Sequence, residues 1–387
     1  MVDIFKITSR IIITCSNRLA GYLAEEVALL GFAPSRIFKT GVELEGTLQD
    51  CIRLNINLRC ASQVLFSIKE CKAANADDVY QAALDIEWEN MIPANGYFTI
   101  SSNVNNDTIT NNLFANVKVK DAIADRYRAK TGARPDSGAV LSGVVVHLYW
   151  KENDAEFFLD TSGETLSKHG YRKIPGKAPM LESLAAATIY ATKWDRKAAF
   201  VNPMCGSGTI AIEAALVATN RVPGLYRNNY AFMHLVHYED EMYDAELQKI
   251  QAQVIHNTDV KIYASDISED AIHITKVNAG MAGVEEMITF EVCDFEQTAI
   301  PEGQAGVIFF NPEYGDRLGV EAELEKTYAL MGDFLKKKCK GYTGYIFTGN
   351  LELAKKIGLK PKRRIEFFTS KIDCRLLEYE LYAGSRG

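Results

Sequence analysis

From residue 198 to the carboxyl terminus the chain repeats one pattern, a short apolar run, a turn and a longer helical stretch. Residues 198–201 precede 210–219, 260–265 precede 269–279, 288–292 follow, 306–310 precede 321–338, and 344–347 precede 351–357. Strands that alternate with helices in this way can only be joined by crossovers, which predicts a mostly parallel sheet covered on both faces. Residues 364–369 and 376–381 flank Lys371-Ile372-Asp373-Cys374 and close that sheet as an antiparallel hairpin. A sheet of this kind binds its ligand at the carboxyl ends of its strands.

The residues at those ends carry chemistry. Asn202-Pro203-Met204-Cys205-Gly206-Ser207-Gly208-Thr209 sits between the first strand and an alanine-rich helix. Gly206 and Gly208 let a ligand approach the backbone closely. The loop is not a phosphate-binding Walker loop, because no Gly-Lys-Ser/Thr follows, and it lacks the full dinucleotide fingerprint. Asp266 ends the next strand, placed to accept both ribose hydroxyls of an adenosine. Asp294 ends the third, placed to accept from an adenine amino group. Asn311-Pro312-Glu313-Tyr314-Gly315-Asp316-Arg317-Leu318 follows the fourth strand at the same edge. Cys205 has the look of a nucleophile, but its place in the glycine loop suits a packed thiol better. His234 and His237, with Tyr226, Tyr230 and Phe232, occupy the insertion 221–258, where they either cap the site or pack on the surface.

The amino-terminal part reads as two α+β regions. Residues 6–14, 42–46, 63–70, 96–102, 142–150 and 156–160 read as strands; 19–30, 48–58, 77–84 and 111–130 read as helices. Residues 161–179, rich in Gly, Ser, Lys and Pro, read as a linker. The 387 residues carry a net charge of −7, which disfavours nucleic acid unless the cations are concentrated. They are concentrated in places: Lys118, Lys120, Arg126 and Arg128 on one helix, Arg172 and Lys173 in the linker, and Lys362, Arg363 and Arg364 before the last hairpin. A solvated helix face would read the same way. The eight cysteines form no Cys-x-x-Cys pair and the histidines do not cluster near them, so no metal site or disulfide scaffold is expected. No apolar run is long enough to span a bilayer, and a cytoplasmic, monomeric protein is the expectation.

Asn311-Pro312-Glu313-Tyr314 resembles the motif of class I S-adenosylmethionine-dependent methyltransferases that act on exocyclic amines of bases, with Glu313 in place of a second proline. Asp107-Thr108-Ile109-Thr110, Leu159-Asp160-Thr161-Ser162-Gly163, Gly170-Tyr171-Arg172, Ala178-Pro179-Met180-Leu181 and the glycine loop extend the likeness over nearly the whole chain. Together they resemble the THUMP-domain 23S rRNA guanine-N2 methyltransferases of the RlmL type. That resemblance implies a Rossmann-like α/β methyltransferase domain at 180–387, preceded by a ferredoxin-like part at 1–61, a THUMP domain at 62–160 and the linker at 161–179. It implies S-adenosylmethionine held by Asn202, Pro203, Cys205, Gly206, Gly208, Thr209, Asp266, Asp294 and Asn311. Asn311, Pro312 and Tyr314 would act on the base. RNA, either 23S rRNA or a large-subunit precursor, is the implied partner, through the basic residues above.

The implied reaction is methylation of the N2 amine of a guanosine in domain V of 23S rRNA. A tRNA guanosine is the nearest alternative substrate. A catalytically silent RNA-binding assembly factor is the alternative of another class, for which Glu313 and an Asn202 standing where the family commonly has Asp are the grounds.

Overall fold

Ile11 and Ile13 point inward from β1 (Ser9–Thr14) and are fully buried, and that alternation anchors the first of two sheets. The structure is a computed structural model that describes residues 3–107, 109, 111–176, 179–256, 258–302, 305–314, 321–369 and 372–382. Thr108, Thr110, Lys177, Ala178, Gly315 to Leu318 and Lys371, quoted above, lie outside the described residues. The chain divides into two compact units, one made of residues 1–15, 23–166 and 223–252, the other of 16–22, 167–222 and 253–387.

In the first unit β1 is followed by α1 (Ala20–Leu29), β2 (Arg36–Phe38), β3 (Gly41–Gly46), α2 (Leu48–Asn57), β4 (Gln63–Lys72), α3 (Ala76–Leu84), β5 (Tyr97–Asn105), α4 (Asn112–Thr131), β6 (Asp136–Ser137), β7 (Val144–Lys151) and β8 (Asp154–Asp160). The sheet order is β2-β3-β1-β4-β8-β7-β5-β6. The antiparallel pairing of β1 with β4 makes one sheet of residues that the sequence divides into two regions. Helix starts follow local chemistry: Thr47 with Asp50 and Asn75 with Asp78 form capping boxes on α2 and α3, each satisfying two backbone donors.

The second unit contains α5 (Glu182–Ala191), β9 (Phe200–Pro203), α6 (Thr209–Ala218), β10 (Ile262–Asp266), α8 (Glu269–Met281), β11 (Ile288–Val292), β12 (Val307–Phe310), α9 (Glu321–Lys338), β13 (Thr343–Thr348), α10 (Leu351–Lys356), β14 (Arg363–Thr369) and β15 (Ile372–Glu380), with α7 (Asp240–Ala252) belonging to the first unit. Its sheet order is β11-β10-β9-β12-β13-β15-β14, parallel from β11 to β13 and closed by an antiparallel hairpin. This is the Rossmann-like α/β arrangement expected from the sequence.

Two helices escape the sequence pattern for opposite reasons. Nearly every residue of α5 is buried, so no polar face marks it. In α7 only Glu246 and Ile250 are buried, so no apolar stripe marks it either. Most of the insertion, residues 223–252, belongs to the first unit. Tyr230 and Phe232 are fully buried in the first unit, stacked 5.0 Å apart, and the Phe232 N–H donates to the Thr161 carbonyl. His234 sits against Asn229 in the same unit. The expected linker is compact instead of free: Thr161 and Ser162 are buried in the first unit, His169 and Tyr171 in the second. There His169 Nδ1 meets Glu213 Oε1 at 2.8 Å with both side chains fully buried.

Asp160 ends β8 buried, with Oδ1 accepting from the Ser162 and Gly163 N–H groups and Oδ2 from Gln63. Burial pushes its carboxyl up to about 6 despite these donors. The folded state therefore holds this proton more tightly than the unfolded chain, and stability falls as pH rises from about 4 through about 6. Asp160→Asn cannot ionise. Urea unfolding should find the variant gaining stability relative to wild type over that interval, by on the order of 2 kcal/mol; a pH-independent difference would remove Asp160 as the source.

Candidate active site

The backbone ladder between β9 and β12 pairs Phe200 with Val307 and Val201 with Ile308, and goes no further. Beyond it the buried Asn202 takes over: its Nδ2 donates to the Phe309 carbonyl at 2.8 Å. This ties the strand carrying the glycine loop to the strand carrying Asn311. A carboxylate could not make that bond, since it has no hydrogen to give. Asn202 Oδ1 is buried and finds no partner among the described residues, an acceptor held open for a ligand donor.

The loop after β9 turns through left-handed residues at Met204, Gly206 and Gly208. Its shape is fixed from both sides. Cys205 N–H donates to the Ser265 carbonyl, Asp266 Oδ2 accepts from Gly206 N–H at 2.9 Å, and Thr275 Oγ1 on α8 donates to the Gly206 carbonyl at 2.9 Å. The two glycines differ in purpose. A Cβ on Gly206 would meet nothing within 4 Å, so its outer face is open to a ligand. A Cβ on Gly208 would stand 2.3 Å from Thr275 Cγ2, so helix packing by itself requires glycine there. Pro203 is the buried last residue of β9.

Asp266 also accepts from Ser268 N–H through Oδ1, which leaves one lone pair on each oxygen for hydroxyl donors. Asp294 caps the turn Phe295–Gln297 through Oδ1 to the Glu296 N–H and is half-buried. Cys205 lies 3.7 Å from Thr275 Oγ1, and burial together with the nearby Asp266 pushes its thiol up to about 12. It stays protonated and is no nucleophile. Thr209 at the start of α6 is buried, its hydroxyl taken up by Arg172 Nη2 at 2.9 Å.

Past β12, the side chain of Asn311 makes no hydrogen bond to a described residue and is half-buried; Pro312 behind it is buried. The loop is held from beneath, where Tyr328 bonds Thr348 at 2.9 Å and its hydroxyl donates to the Glu313 carbonyl at 3.4 Å. Tyr314 lies over Gly349, where an added Cβ would stand 3.0 Å from its ring. Burial and the neighbouring Cys374 hold its phenol protonated, well above the usual range. Sequence reasoning missed Thr275, Asn278, Tyr328 and Gly349, because none belongs to a motif; each acts through a contact between residues distant in the chain. Asn278, fully buried, accepts from the Lys173 and Ile174 N–H groups and donates to the Ser207 carbonyl, binding the former linker to the glycine loop.

Several cations expected to meet RNA are spent inside the protein. Arg126 forks onto Glu89 at 2.6 and 2.7 Å and donates to the Leu84 carbonyl, so it braces α4. Arg172 donates to the Met180 carbonyl and Thr209 and pairs with Glu182. Arg363 pairs with Glu378 and donates to the Ala191 carbonyl. A guanidinium held this way turns to phosphate only at the cost of those bonds. Lys118 pairs with Asp77, Arg128 with Asp125 and Lys362 with Glu380, all in solvent-facing bridges. Lys120 is half-exposed and Lys173 exposed. No group of three or more His, Cys, Asp or Glu among the described residues could hold a metal, and no helix among them is long and apolar enough to cross a membrane.

Residues 169–378 match the family described as RMKL-like, methyltransferase domain; residues 10–65 match an RlmL ferredoxin-like domain and 73–155 a THUMP domain. The chain belongs to the RMKL-like methyltransferase family. The family uses S-adenosylmethionine, the donor expected from the strand-end residues. The open Asn202 acceptor, the bare face of Gly206 and the remaining lone pairs of Asp266 fit an amine, a close-lying chain and two hydroxyls. A ribosomal RNA large subunit methyltransferase K/L of Syntrophotalea carbinolica is 32% identical over 93% of this chain and 52% of that relative. The RMKL-like chain thus spans about half the length of the curated relatives it matches. Among solved structures, SMU.472 in complex with SAH matches with a TM-score of 0.89 at 22% identity, over 98% of this chain and 100% of that one. A predicted N6-adenine-specific DNA methylase from Listeria monocytogenes str. 4b F2365 matches with 0.87 at 28%, over 97% of each.

Asn202→Asp puts a carboxylate against the Phe309 carbonyl in this RMKL-like methyltransferase. Calorimetry and thermal melting should show cofactor affinity and stability both reduced, by about 1 to 3 kcal/mol. Wild-type values for both would show that the amide bridge does not hold the site.

Proposed function

We propose that this chain transfers a methyl group from S-adenosylmethionine to the exocyclic N2 of a guanosine in domain V of 23S rRNA. The observation that carries the reading is Asn311: a half-buried amide without a protein partner, at the strand end that Asn202 ties to the cofactor loop. Residues 1–61 would serve as the ferredoxin-like part and 62–160 as the THUMP domain that holds RNA, with 180–387 carrying out the chemistry.

A guanine amine is a poor nucleophile because its lone pair is delocalised into the ring. When bound, S-adenosylmethionine supplies an electrophilic methyl carried on a sulfonium. Asn311 Oδ1 and the Pro312 carbonyl accept the two amine hydrogens, which aims the nitrogen and favours the positive charge that develops on it. Tyr314 stacks on the base, its ring held in place by the room that Gly349 leaves. Asn202, Gly206, Asp266 and Asp294 hold the cofactor. No dedicated general base is needed, since the product ammonium loses its proton readily. The base reaches this pocket unpaired or flipped.

Adenine N6 is the second reading, because it presents the same two hydrogens and the Listeria relative bears the name of an adenine methylase. A silent assembly factor is disfavoured by a cofactor loop whose every described tie is intact.

Incubating the chain and labelled S-adenosylmethionine with protein-free 23S rRNA, large subunits, bulk tRNA and duplex DNA, followed by nucleoside mass spectrometry, tests the reading. N2-methylguanosine in 23S rRNA is the expected product. Label in tRNA alone, or N6-methyladenosine in any substrate, would overturn it.

A further inference from the structure

Between residues 336 and 364 the chain carries ten Lys and Arg and a single acid, Glu352, although the whole protein has a net charge of −7. The topology of the second unit gathers most of them at one end. β12 and β13 run parallel, β15 returns antiparallel to β13, and β14 is antiparallel to β15. The end of α9, the approach to β13, the residues leading into β14 and the last residues of β15 therefore lie at the amino edge of this sheet. Asn202, Asp266 and Asn311 lie at the carboxyl edge. Contacts agree with the topology: a Cβ on Gly358 would stand 3.2 Å from Lys336 Nζ, and Lys362 at the entry to β14 pairs with Glu380 at the end of β15.

Local stability explains part of this charge. Lys336, Lys337 and Lys338 occupy the last turn of α9, where cations favour the helix dipole by about 0.3 to 1 kcal/mol each. Lys340, Lys360 and Lys362 lie outside any helix and receive no such benefit. Lys340, Lys360 and Arg364 are exposed and make no ion pair with a described residue. Lys336 and Lys337 pair with Asp333, Lys355 with Glu352, Lys356 with Glu325 and Lys362 with Glu380 in exposed bridges of the kind worth about 0 to 1 kcal/mol, which phosphate can displace, whereas Arg363 is held by the buried Glu378.

We propose that this amino-edge face is a second nucleic-acid contact, taking the phosphate backbone of a structured RNA at a point remote from the base being methylated. The inference rests on the RNA-methylating reading above. RNA is favoured over a lipid surface because surface helices that bind membranes bury apolar side chains as well as offering cations. Of the large apolar residues exposed in this stretch, Leu351 alone stands out among the described residues, and it begins α10 at the carboxyl end of β13. The arrangement suits shape recognition, in which phosphates spaced along a folded RNA are held by separate patches. It also compensates for the internal use of Arg126, Arg172 and Arg363.

The test uses the full chain with Lys337→Gln, Lys340→Gln and Lys360→Gln combined, residues remote from the cofactor loop. Filter binding to protein-free large-subunit rRNA over a range of salt should show affinity lowered about tenfold near physiological salt. The slope of log affinity against log salt should shrink by about two to three. S-adenosylmethionine affinity by calorimetry should stay at the wild-type value. If the triple variant melts early, the single Lys340→Gln and Lys360→Gln variants should each lower the slope by about one. Unchanged RNA affinity and slope, with wild type binding RNA, would overturn this proposal alone. Wild type that binds no RNA would overturn the functional reading with it. Binding of wild type, but not the variant, to phosphatidylserine vesicles while RNA binding is unaltered would assign the face to membranes and overturn the proposal.

Discussion

The site depends on one amide. Where the β9 and β12 ladder stops, Asn202 Nδ2 reaches the Phe309 carbonyl at 2.8 Å, and two strand ends that would otherwise splay become one platform. On one side of it hangs the glycine loop, held by Asp266 and Thr275. On the other begins Asn311-Pro312-Glu313-Tyr314, held by Tyr328 and Gly349. A methyl donor and an amine acceptor react only when a few tenths of an ångström separate good geometry from bad, so coupling their two loops through a buried hydrogen bond is the constraint from which the chemistry follows.

The fold, and the strand ends at which the candidate cofactor residues stand, were legible in the sequence because both are local. Strand–turn–helix alternation is written in apolar spacing, and Asp266 and Asp294 are found by where strands end. Supporting residues were not legible. Thr275 and Asn278 look like ordinary polar positions on α8 until the tertiary structure brings them under the glycine loop, some seventy residues away in sequence. The partners of the basic residues were not legible either. Charge is visible in a sequence, but the partner of a charge is not, so Arg126, Arg172 and Arg363 read as free cations while the fold spends them on Glu89, Glu182 and Glu378. The insertion's aromatic run lies between two strands of the second unit in sequence and is buried in the first unit, which apolar spacing alone does not tell.

Internal pairing of cations bears on how an acidic protein would hold RNA. Few of the basic residues on α4 are unencumbered, so on the proposed reading RNA affinity would come from several exposed patches acting together. Distributed, weak contacts favour a large folded RNA over a short one, which agrees with a ribosomal substrate better than with an isolated stem.

In the proposed reaction Asn311 holds the amine while other residues hold the cofactor. The most direct measurement compares single-turnover methyl transfer with S-adenosylmethionine affinity in Asn311→Ala. The account predicts transfer lowered by about 100-fold or more, the scale of a lost transition-state acceptor, with cofactor affinity within about twofold of wild type. An Asn311→Ala enzyme that transfers methyl at the wild-type rate would contradict it.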